Sequence, residues 1–173
     1  MLTAVTTWFL EMKDPAQLRP ARPPQRAATL IQAEIPCPEL NRFLNEVVGA
    51  NWSWTDRLPW TLEQWQAWVE RVETWIGYVA GTPAGYFELL RPSETEVNLA
   101  YFGLLPWAIG QGLGGWMLTR AIERCWALGP RIVTVNTCSL DGPHALPNYR
   151  ARGFEIVRLT VESRRVESRP ADE

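Results

Sequence analysis

The chain has 173 residues and a mass of 19.7 kDa, which is long enough for one domain with a full hydrophobic core. Apolar residues make up 46% and charged residues 21%, a composition typical of globular proteins and not of disordered ones. Seventeen basic and nineteen acidic residues give a net charge of −2, so the chain lacks the basic surplus of a nucleic-acid binder.

Targeting signals and metal ligands are scarce. No apolar stretch approaches the ~20 residues of a membrane span, and the N-terminus lacks the basic start and cleavage site of a signal peptide. We therefore expect a cytoplasmic protein with no membrane partner. Three widely spaced cysteines (Cys37, Cys125 and Cys138) and a single histidine are too few for a zinc site, so we expect free thiols and no metal.

The first part of the chain predicts one strand and two longer helices. Apolar residues at helical spacing end at Gly49, and Thr61 with Gln64 forms a capping box at the start of the second helix. The predicted elements are a strand at 3–11, a proline-rich loop at 14–36 with a short helix near Ala27–Gln32, and helices at 38–49 and 61–72.

The rest of the chain predicts a strand-rich block followed by helices and strands in alternation. Gly81, Thr82 and Pro83 separate two β-rich segments, which indicates a hairpin. A near-continuous apolar run at 131–138 is typical of a strand buried on both faces. The predicted elements are strands at 74–80, 84–90, 95–105, 131–138 and 154–163, helices at 112–129 and 144–153, and a frayed polar tail at 164–173.

A glycine-rich turn, Gly110 to Gly115, precedes the strongest predicted helix. Backbone amides at a helix N-terminus bind phosphate oxygens when no side chain obstructs them. The glycines match the dinucleotide pattern G-x-G-x-x-G, but they follow antiparallel strands and too few elements remain after them for a dinucleotide domain. No Lys-Ser or Lys-Thr pair follows, which excludes a P-loop. The alternative is a turn that only lets the helix pack closely.

A second motif, A-L-P-N-Y-R-A-R-G-F, extends from Ala145 to Phe154. It predicts a short helix that ends at Gly153 and a strand that begins at Phe154. On its own, Tyr149 in such a helix is more often a core residue whose hydroxyl is satisfied. The two motifs together, with Tyr149 thirty-four residues after Gly115, are more specific than either alone.

The order strand, glycine turn, helix, strand and A-x-x-x-Y-x-x-x-G-F resembles the GCN5-related N-acetyltransferase (GNAT) superfamily, best over 74–165. The resemblance implies one α/β domain over 1–173, with a mixed, mostly antiparallel twisted sheet of about six to seven strands flanked by about four helices. It also implies acetyl transfer from acetyl-CoA to a primary amine by direct attack in a ternary complex. The segments DRLPW, PAGYFEL, AYFGLLP and NTCSLD are similar to a bacterial subfamily of unassigned substrate.

The resemblance assigns the cofactor site. In the family the turn amides hold the pyrophosphate of acetyl-CoA, and a bulge, here expected near Phe102–Leu104, splays one strand from the next to admit the pantetheine arm. Ile109 stands where the family has Gln or Arg, and Gly142 where Asn is common, so we expect weaker binding and a contact from Asn136 or Asp141. The predicted cofactor-binding residues are Phe102, Leu104, Ile109, Gly110, Gln111, Gly112, Leu113, Gly114, Gly115 and Asn136.

The resemblance also places the catalytic candidates. Tyr149 stands at the family's usual proton donor to the CoA thiolate. The family often has a Glu where this chain has Asn98, so the predicted base is Glu96, two residues earlier on the same strand face, or Glu88 on the neighbouring strand. For each glutamate a solvated or ion-paired surface carboxylate is the alternative, and Glu88 is expected to have apolar neighbours. A base acting through water, or a weakly basic acceptor, also remains open.

Tryptophans are concentrated in 52–68, a segment that contributes to the acceptor pocket in the family. Trp65 and Trp68 are expected to face the core because they lie three residues apart on one helix. An aromatic pocket built from the loop tryptophans would suit a flat or cationic acceptor. The predicted acceptor-binding residues are Trp52, Trp54, Asp56 and Asn98.

Several alternatives remain at the level of the sequence. The acceptor is expected to be a small-molecule amine or a peptide amine, and the chain is a candidate homodimer. The rival functions are a non-catalytic acyl-CoA-binding module, a protein N-acetyltransferase, and an interaction protein whose cleft holds no ligand. His144, near the start of the last helix, is expected to cap that helix or to lie beside the cofactor.

Overall fold

The computed structural model describes residues 2–165 and shows a seven-stranded mixed sheet flanked by four α-helices, which confirms the predicted fold class. The sheet order is β2-β3-β4-β5-β6-β1-β7, and all neighbours are antiparallel except β5 and β6. The strands are β1 (Leu2–Met12), β2 (Ala28–Gln32), β3 (Val72–Val79), β4 (Thr82–Ser93), β5 (Glu96–Leu104), β6 (Ile132–Cys138) and β7 (Glu155–Arg165). The helices are α1 (Pro38–Gly49), α2 (Leu62–Val69), α3 (Leu113–Ala127) and α4 (Ala145–Ala151), with short 3₁₀ turns at Pro15–Gln17 and Pro106–Ala108.

Local signals explain most of these elements. The predicted β3–β4 hairpin forms, but it turns at Ala80 and Gly81, and Thr82 and Pro83 already pair with β3. The Thr61–Gln64 capping box begins α2. The apolar side chains of α3 lie on one face, where Leu118 and Ile122 are fully buried against the sheet. On the opposite sheet face, Leu44 of α1 packs in a second cluster. The sheet is therefore covered by helices on both faces.

The segment Ala28–Gln32 is an extended strand, so the short helix predicted there is wrong. Its five residues pair antiparallel with Trp75–Val79 of β3 and form one edge of the sheet. β-Branched residues favour the extended backbone, but the pairing with a distant strand decides the outcome. The proline-rich segment 14–36 thus contains an edge strand and the 3₁₀ turn at Pro15–Gln17.

Strand β6 is buried on one face only, and the prediction of two buried faces is wrong. Val133, Val135 and Thr137 are buried, whereas Asn136 between them is exposed. The physical reason is the placement of the helices: α1 contacts β4 and β5, and α2 contacts β3, so the second face of β6 remains uncovered by them.

Strands β5 and β6 separate soon after they meet. They pair in parallel only from Glu96–Asn98 to Ile132–Thr134, and beyond Asn98 no further pairing joins them in the described part of the chain. We call the space between their diverging ends the gap. It opens on the side where α3 begins, so that the glycine turn and the gap lie next to each other.

A bulge in β5 starts this divergence. Tyr101 is opposite Glu88 and Leu99 is opposite Leu89, which leaves Ala100 as the extra residue. The prediction of a bulge near Phe102–Leu104 is wrong, because those three residues pair regularly with β4.

The end of the described chain lies in β7. Arg164 and Arg165, predicted to begin a frayed tail, pair with Thr3 and Leu2 of β1. The remainder of the predicted tail, 166–173, lies outside the described residues. Among the helices formed by residues 2–165, none has both the length and the apolar character needed to cross a membrane.

Candidate active site

A cleft of about 720 Å³ follows the gap between β5 and β6. This volume lies within the range of roughly 300–1,000 Å³ found for small-molecule sites. The structure brings most of the predicted site residues to this cleft from separate segments of the chain. Those that line it are Trp52, Trp54, Asp56, Asn98, Phe102, Leu104, Ile109, Gly114, Asn136 and Tyr149.

The glycine turn borders the cleft through Gly114 and the preceding Ile109, whereas the predicted cofactor-binding residues from Gly110 to Leu113, and Gly115, do not line it. Gly110 and Gly112 have φ values of 81° and 76°, in the left-handed region that favours glycine. No side chain caps the N-terminus of α3, so the amides of its first turn need another partner. A Cβ at Gly110 would meet nothing within 4 Å, which leaves open space next to the turn. Uncapped amides beside open space fit an anionic phosphate group.

Two residues of the turn, Gln111 and Leu113, point their side chains away from the cleft. The Gln111 amide nitrogen donates to the carbonyl oxygen of Trp107 at 2.7 Å, and Leu113 is only 3% exposed, in the core. A Cβ at Gly115 would lie 2.6 Å from Nη1 of Arg152, so this glycine permits close packing. Gln111 and Leu113 therefore offer only backbone groups to a ligand, whereas the side chain of Ile109 lines the cleft.

Tyr149 lies in the wall of the cleft and is 6% exposed. Its ring packs edge-to-face against Phe102 and Phe154, with centroid distances of 6.3 and 6.0 Å. Burial raises the pKa of the Tyr149 hydroxyl well above its usual value, and the negative charge of Asp141 raises that pKa further. The hydroxyl therefore stays protonated at neutral pH and can act as a proton donor.

Glu88 does not reach the cleft. Its side chain is fully buried and accepts hydrogen bonds from Asn41 Nδ2 at 2.9 Å, Arg57 Nη1 at 3.1 Å and Trp68 Nε1 at 2.7 Å. The side chains around the Glu88 carboxylate are therefore not apolar as expected. They are three hydrogen-bond donors, and one of them, Arg57, is positively charged. This arrangement does not support the predicted role of Glu88 as a base, because the carboxylate is sealed from the acceptor and already paired.

Glu96 is also held away from the cleft. Its carboxylate accepts a hydrogen bond from the hydroxyl of Thr134 at 2.6 Å, and Asn98 Nδ2 donates to the same hydroxyl oxygen at 2.9 Å. Glu96 and Asn98 face the same side of β5, as expected from strand alternation. Only Asn98 lines the cleft, however, because Glu96 lies at the end of β5 that is still paired with β6. The geometry thus gives no support to Glu96 as a base.

Arg57 occupies the centre of the tryptophan cluster, a role that the sequence analysis missed. Its guanidinium carbon lies 3.7 Å from the ring centroid of Tyr101 and 4.1 Å from that of Trp68, with Trp60 at 4.7 Å and Trp65 at 5.6 Å. We call these four rings the aromatic cage. Arg57 is 4% exposed and is paired with Glu88. The cation inside this cage is therefore the chain's own arginine, and only Trp52 and Trp54 remain as candidate acceptor contacts among the loop tryptophans.

The loop between α1 and α2 reaches across the gap. Trp54 Nε1 donates to Asp141 Oδ1 at 3.1 Å, and the ring of Trp54 meets Tyr101 edge-on at 5.0 Å. The ring of Trp52 lies against Gly142, where a Cβ would be only 3.0 Å from Trp52 Cζ2. This loop thus connects β5 with the loop after β6.

Asp56 lies in the same loop and is exposed in the cleft. Its Oδ2 atom accepts a hydrogen bond from the hydroxyl of Tyr101 at 2.7 Å. Burial raises the pKa of the Tyr101 hydroxyl, and the Asp56 charge adds to that increase despite the opposing effect of Arg57. The Tyr101 hydroxyl therefore stays protonated at neutral pH, and its hydrogen bond orients the Asp56 carboxylate.

The start of α4 differs from the expectation. His144 is the N-cap residue, but its side chain makes no capping hydrogen bond, so the capping role predicted for it is wrong. Its side chain lines the cleft instead. Asn148, which the sequence analysis did not single out, donates from Nδ2 to the carbonyl oxygen of Gly114 at 3.2 Å and so connects α4 to the start of α3.

Comparison with known proteins identifies the class to which this fold and cleft belong. The model of the acetyltransferase (GNAT) family matches residues 30–154, and the chain belongs to that family. No sequence among the curated proteins matches it.

Solved structures share the fold at low sequence identity. A GCN5-related N-acetyltransferase from Kribbella flavida is 20% identical with a TM-score of 0.65, over 92% of this chain and 58% of that one. One from Sphaerobacter thermophilus is 15% identical with a TM-score of 0.63, over 94% and 53%. A GNAT family protein from Streptococcus pneumoniae is 18% identical with a TM-score of 0.55, over 76% and 89%. The chain thus spans little more than half the length of the first two.

Proposed function

We propose that this acetyltransferase family member moves the acetyl group of acetyl-CoA to a primary amine by direct attack in a ternary complex. The observation that carries the proposal is the placement of three features in one cleft. These are the uncapped start of α3 at the glycine turn, the gap between β5 and β6, and Tyr149 in the cleft wall. Each of them corresponds to one part of an acyl-CoA thioester: its phosphates, its pantetheine arm and its sulfur.

The residues of the cleft fit acetyl-CoA, which supplies an activated acetyl thioester when bound. In this proposal the amides from Gly110 to Gly114 hold the pyrophosphate, where the positive end of the α3 dipole adds to the attraction. The gap receives the pantetheine arm between Phe102 and Leu104 of β5 and Asn136 of β6. Ile109 adds apolar contact but no charge, so we expect the backbone to provide most of the phosphate binding.

The reaction also needs a neutral amine and a donor for the departing thiolate. An alkylamine has a pKa of ~10 and must lose a proton before it attacks. Since Glu88 and Glu96 are buried or paired, we infer that the proton leaves through water and not directly to either glutamate. Tyr149 then donates its proton to the CoA sulfur. Backbone amides next to the bulge at Ala100 polarise the thioester carbonyl.

Calorimetry followed by a turnover assay tests the proposal. We expect micromolar binding of acetyl-CoA, no binding of NADH, and release of CoA thiol when an amine is added. Failure to bind acetyl-CoA would contradict the proposal and leave the glycine turn with only a structural role.

A second function follows from the lack of a free carboxylate on β5. If acetyl-CoA binds but no amine, small or peptidic, stimulates thiol release, the chain is a non-catalytic acyl-CoA-binding module. The same assay with a peptide that has a free N-terminus distinguishes a protein acetyltransferase from a small-molecule enzyme.

A further inference from the structure

We propose that Asp56, held by Tyr101, binds an ammonium group of the acceptor that is separate from the amine being acetylated. The preferred acceptor would then be a small diamine or polyamine, with one amino group reacting while another stays protonated. This inference rests on the proposed function, because it assigns the acceptor for the same cleft.

The first support is the fixed position of the Asp56 carboxylate. An exposed aspartate normally samples several rotamers in water, and a single surface charge pair contributes little binding. Here Oδ2 accepts from the Tyr101 hydroxyl at 2.7 Å, and the Tyr101 ring lies between the edge of Trp54 and the guanidinium of Arg57. Asp56 is thus preorganised, while its other oxygen accepts no hydrogen bond from the described residues 2–165 and can accept a further donor.

The second support is the buried pair behind Tyr101. Arg57 and Glu88 are 4% and 0% exposed, and two charges removed from water at this depth add little stability compared with apolar side chains. The pair does hold the guanidinium against the ring of Tyr101, at 3.7 Å from its centroid. We therefore interpret Arg57 and Glu88 as positioning residues for Tyr101 and, through it, for Asp56.

The third support is the separation between Asp56 and the expected reaction centre. The thioester would lie along the β5 backbone near Ala100, whereas Asp56 meets Tyr101 at the far end of its side chain, at the hydroxyl. The whole length of a tyrosine side chain lies between the two places. A carboxylate at that distance does not reach the reacting nitrogen, but it does reach a second ammonium on a short chain.

Among the described lining residues, the other carboxylate and Arg164 are already paired, and Arg165 also lines the cleft. Asp141 is the second carboxylate among the described lining residues. It accepts three hydrogen bonds, from Trp54 Nε1, Thr137 Oγ1 and the backbone amide of Cys138. Arg164 forms an ion pair of 3.3 Å with Glu162. Asp56 therefore remains the carboxylate of this cleft best placed to receive a cation, and the ring of Trp54, which also lines the cleft, can add cation–π attraction.

The test compares putrescine, n-butylamine and γ-aminobutyrate, three amines with the same four-carbon chain. We expect wild-type kcat/KM for putrescine to exceed that for n-butylamine by about tenfold or more, and γ-aminobutyrate to be the poorest acceptor. Asp56→Asn should abolish the preference for putrescine by raising its KM. The measured quantity for this variant is the ratio of kcat/KM for putrescine to kcat/KM for n-butylamine, which should fall to about one.

Two further variants separate binding from general effects of charge and folding. Tyr101→Phe keeps the ring but removes the hydrogen bond, so it should reduce the preference for putrescine partially. Glu94→Gln removes an exposed carboxylate in the β4–β5 turn, outside the cleft, and should leave the preference intact.

The outcomes are distinct. Equal kcat/KM for putrescine and n-butylamine in the wild type, or an unchanged preference in Asp56→Asn, would overturn the assignment of Asp56 and leave the proposed acetyl transfer standing. No turnover of any amine would overturn both proposals.

Discussion

The indole of Trp52 lies directly on Gly142, and the contact leaves no room for a side chain at position 142. An ideal Cβ there would be 3.0 Å from Trp52 Cζ2 and 3.2 Å from its Cη2. Members of the resembled family often have an asparagine at this place. The packing of Trp52 therefore explains why position 142 is a glycine. The missing asparagine is a consequence of this packing and is not by itself evidence of a defective cofactor site.

Gly142→Asn should displace the Trp52 ring and disturb the acceptor end of the cleft. Overpacking of this kind costs about 1–3 kcal/mol, so we expect the acceptor KM to rise about tenfold while the acetyl-CoA Kd changes little. The double variant Trp52→Ala with Gly142→Asn is the control, because it removes the clash. If the two changes were simply additive in KM, the contact between these residues would not be the cause.

Gly110→Ala tests the glycine turn against a closely matched control. Gly81, in the β3–β4 turn, has a φ of 79° against 81° for Gly110, and a Cβ at either position would meet nothing within 4 Å. Both alanine variants should therefore lose a similar free energy of unfolding, about 1–2 kcal/mol. Only Gly110→Ala should weaken acetyl-CoA binding, as measured by calorimetry. Equal Kd values in the two variants would contradict phosphate binding at this turn.

Tyr149→Phe should lower kcat about 100-fold or more, as expected when a general acid is removed, without changing acetyl-CoA affinity. Because its pKa is raised, Tyr149 stays protonated to a higher pH than an exposed tyrosine. The wild-type rate should then increase with pH as more amine becomes neutral, with no fall below pH ~10, the usual tyrosine value. Tyr78→Phe, outside the cleft, is the control and should keep full activity. An unchanged kcat in Tyr149→Phe would remove Tyr149 from the mechanism.

Arg57→Met should destabilise the fold strongly by leaving Glu88 buried without its cation. Removing one member of a buried pair costs about 3–5 kcal/mol in the free energy of unfolding, measured with urea. Arg120→Met breaks an exposed pair with Glu123, whose side chains are 52% and 43% exposed, and should cost about 1 kcal/mol or less. If the two losses were equal, the aromatic cage would not hold a structurally important ion pair.

Elements with strong local signals could be predicted from the sequence. Helix α3 was predicted from apolar periodicity and the stop at Gly129, and the α2 start from its capping box. Strand β2 could not be predicted this way, since its conformation depends on pairing with β3 more than forty residues later. The bulge was placed two residues too late, because its position is set by the register with β4.

The candidate site shows the same division. The glycine turn and Tyr149 were found by motif, and both Gly114 of the turn and Tyr149 line the cleft. Their chemical roles stay predictions. Glu88 was misinterpreted because its partner Arg57 lies thirty-one residues earlier, and nothing local in the sequence indicates that they meet. The sequence does contain one indirect signal. Glu88 lies within the apolar run GYFELL and Arg57 within the tryptophan-rich segment 52–68, so both charges are expected in apolar surroundings, where they need a partner.

The pairing of β5 with β6, beside the gap, is the shortest strand pairing in the described part of the sheet. Within the described residues these strands share three residue pairs, against ten between β1 and β7. The sheet thus consists of two halves, β2 to β5 and β6-β1-β7, joined along a short line. A ligand in the gap contacts both halves. Because it binds only when the two halves are together, its binding raises the free energy of unfolding of the domain. The stability of the sheet would then depend on whether the gap is occupied by cofactor.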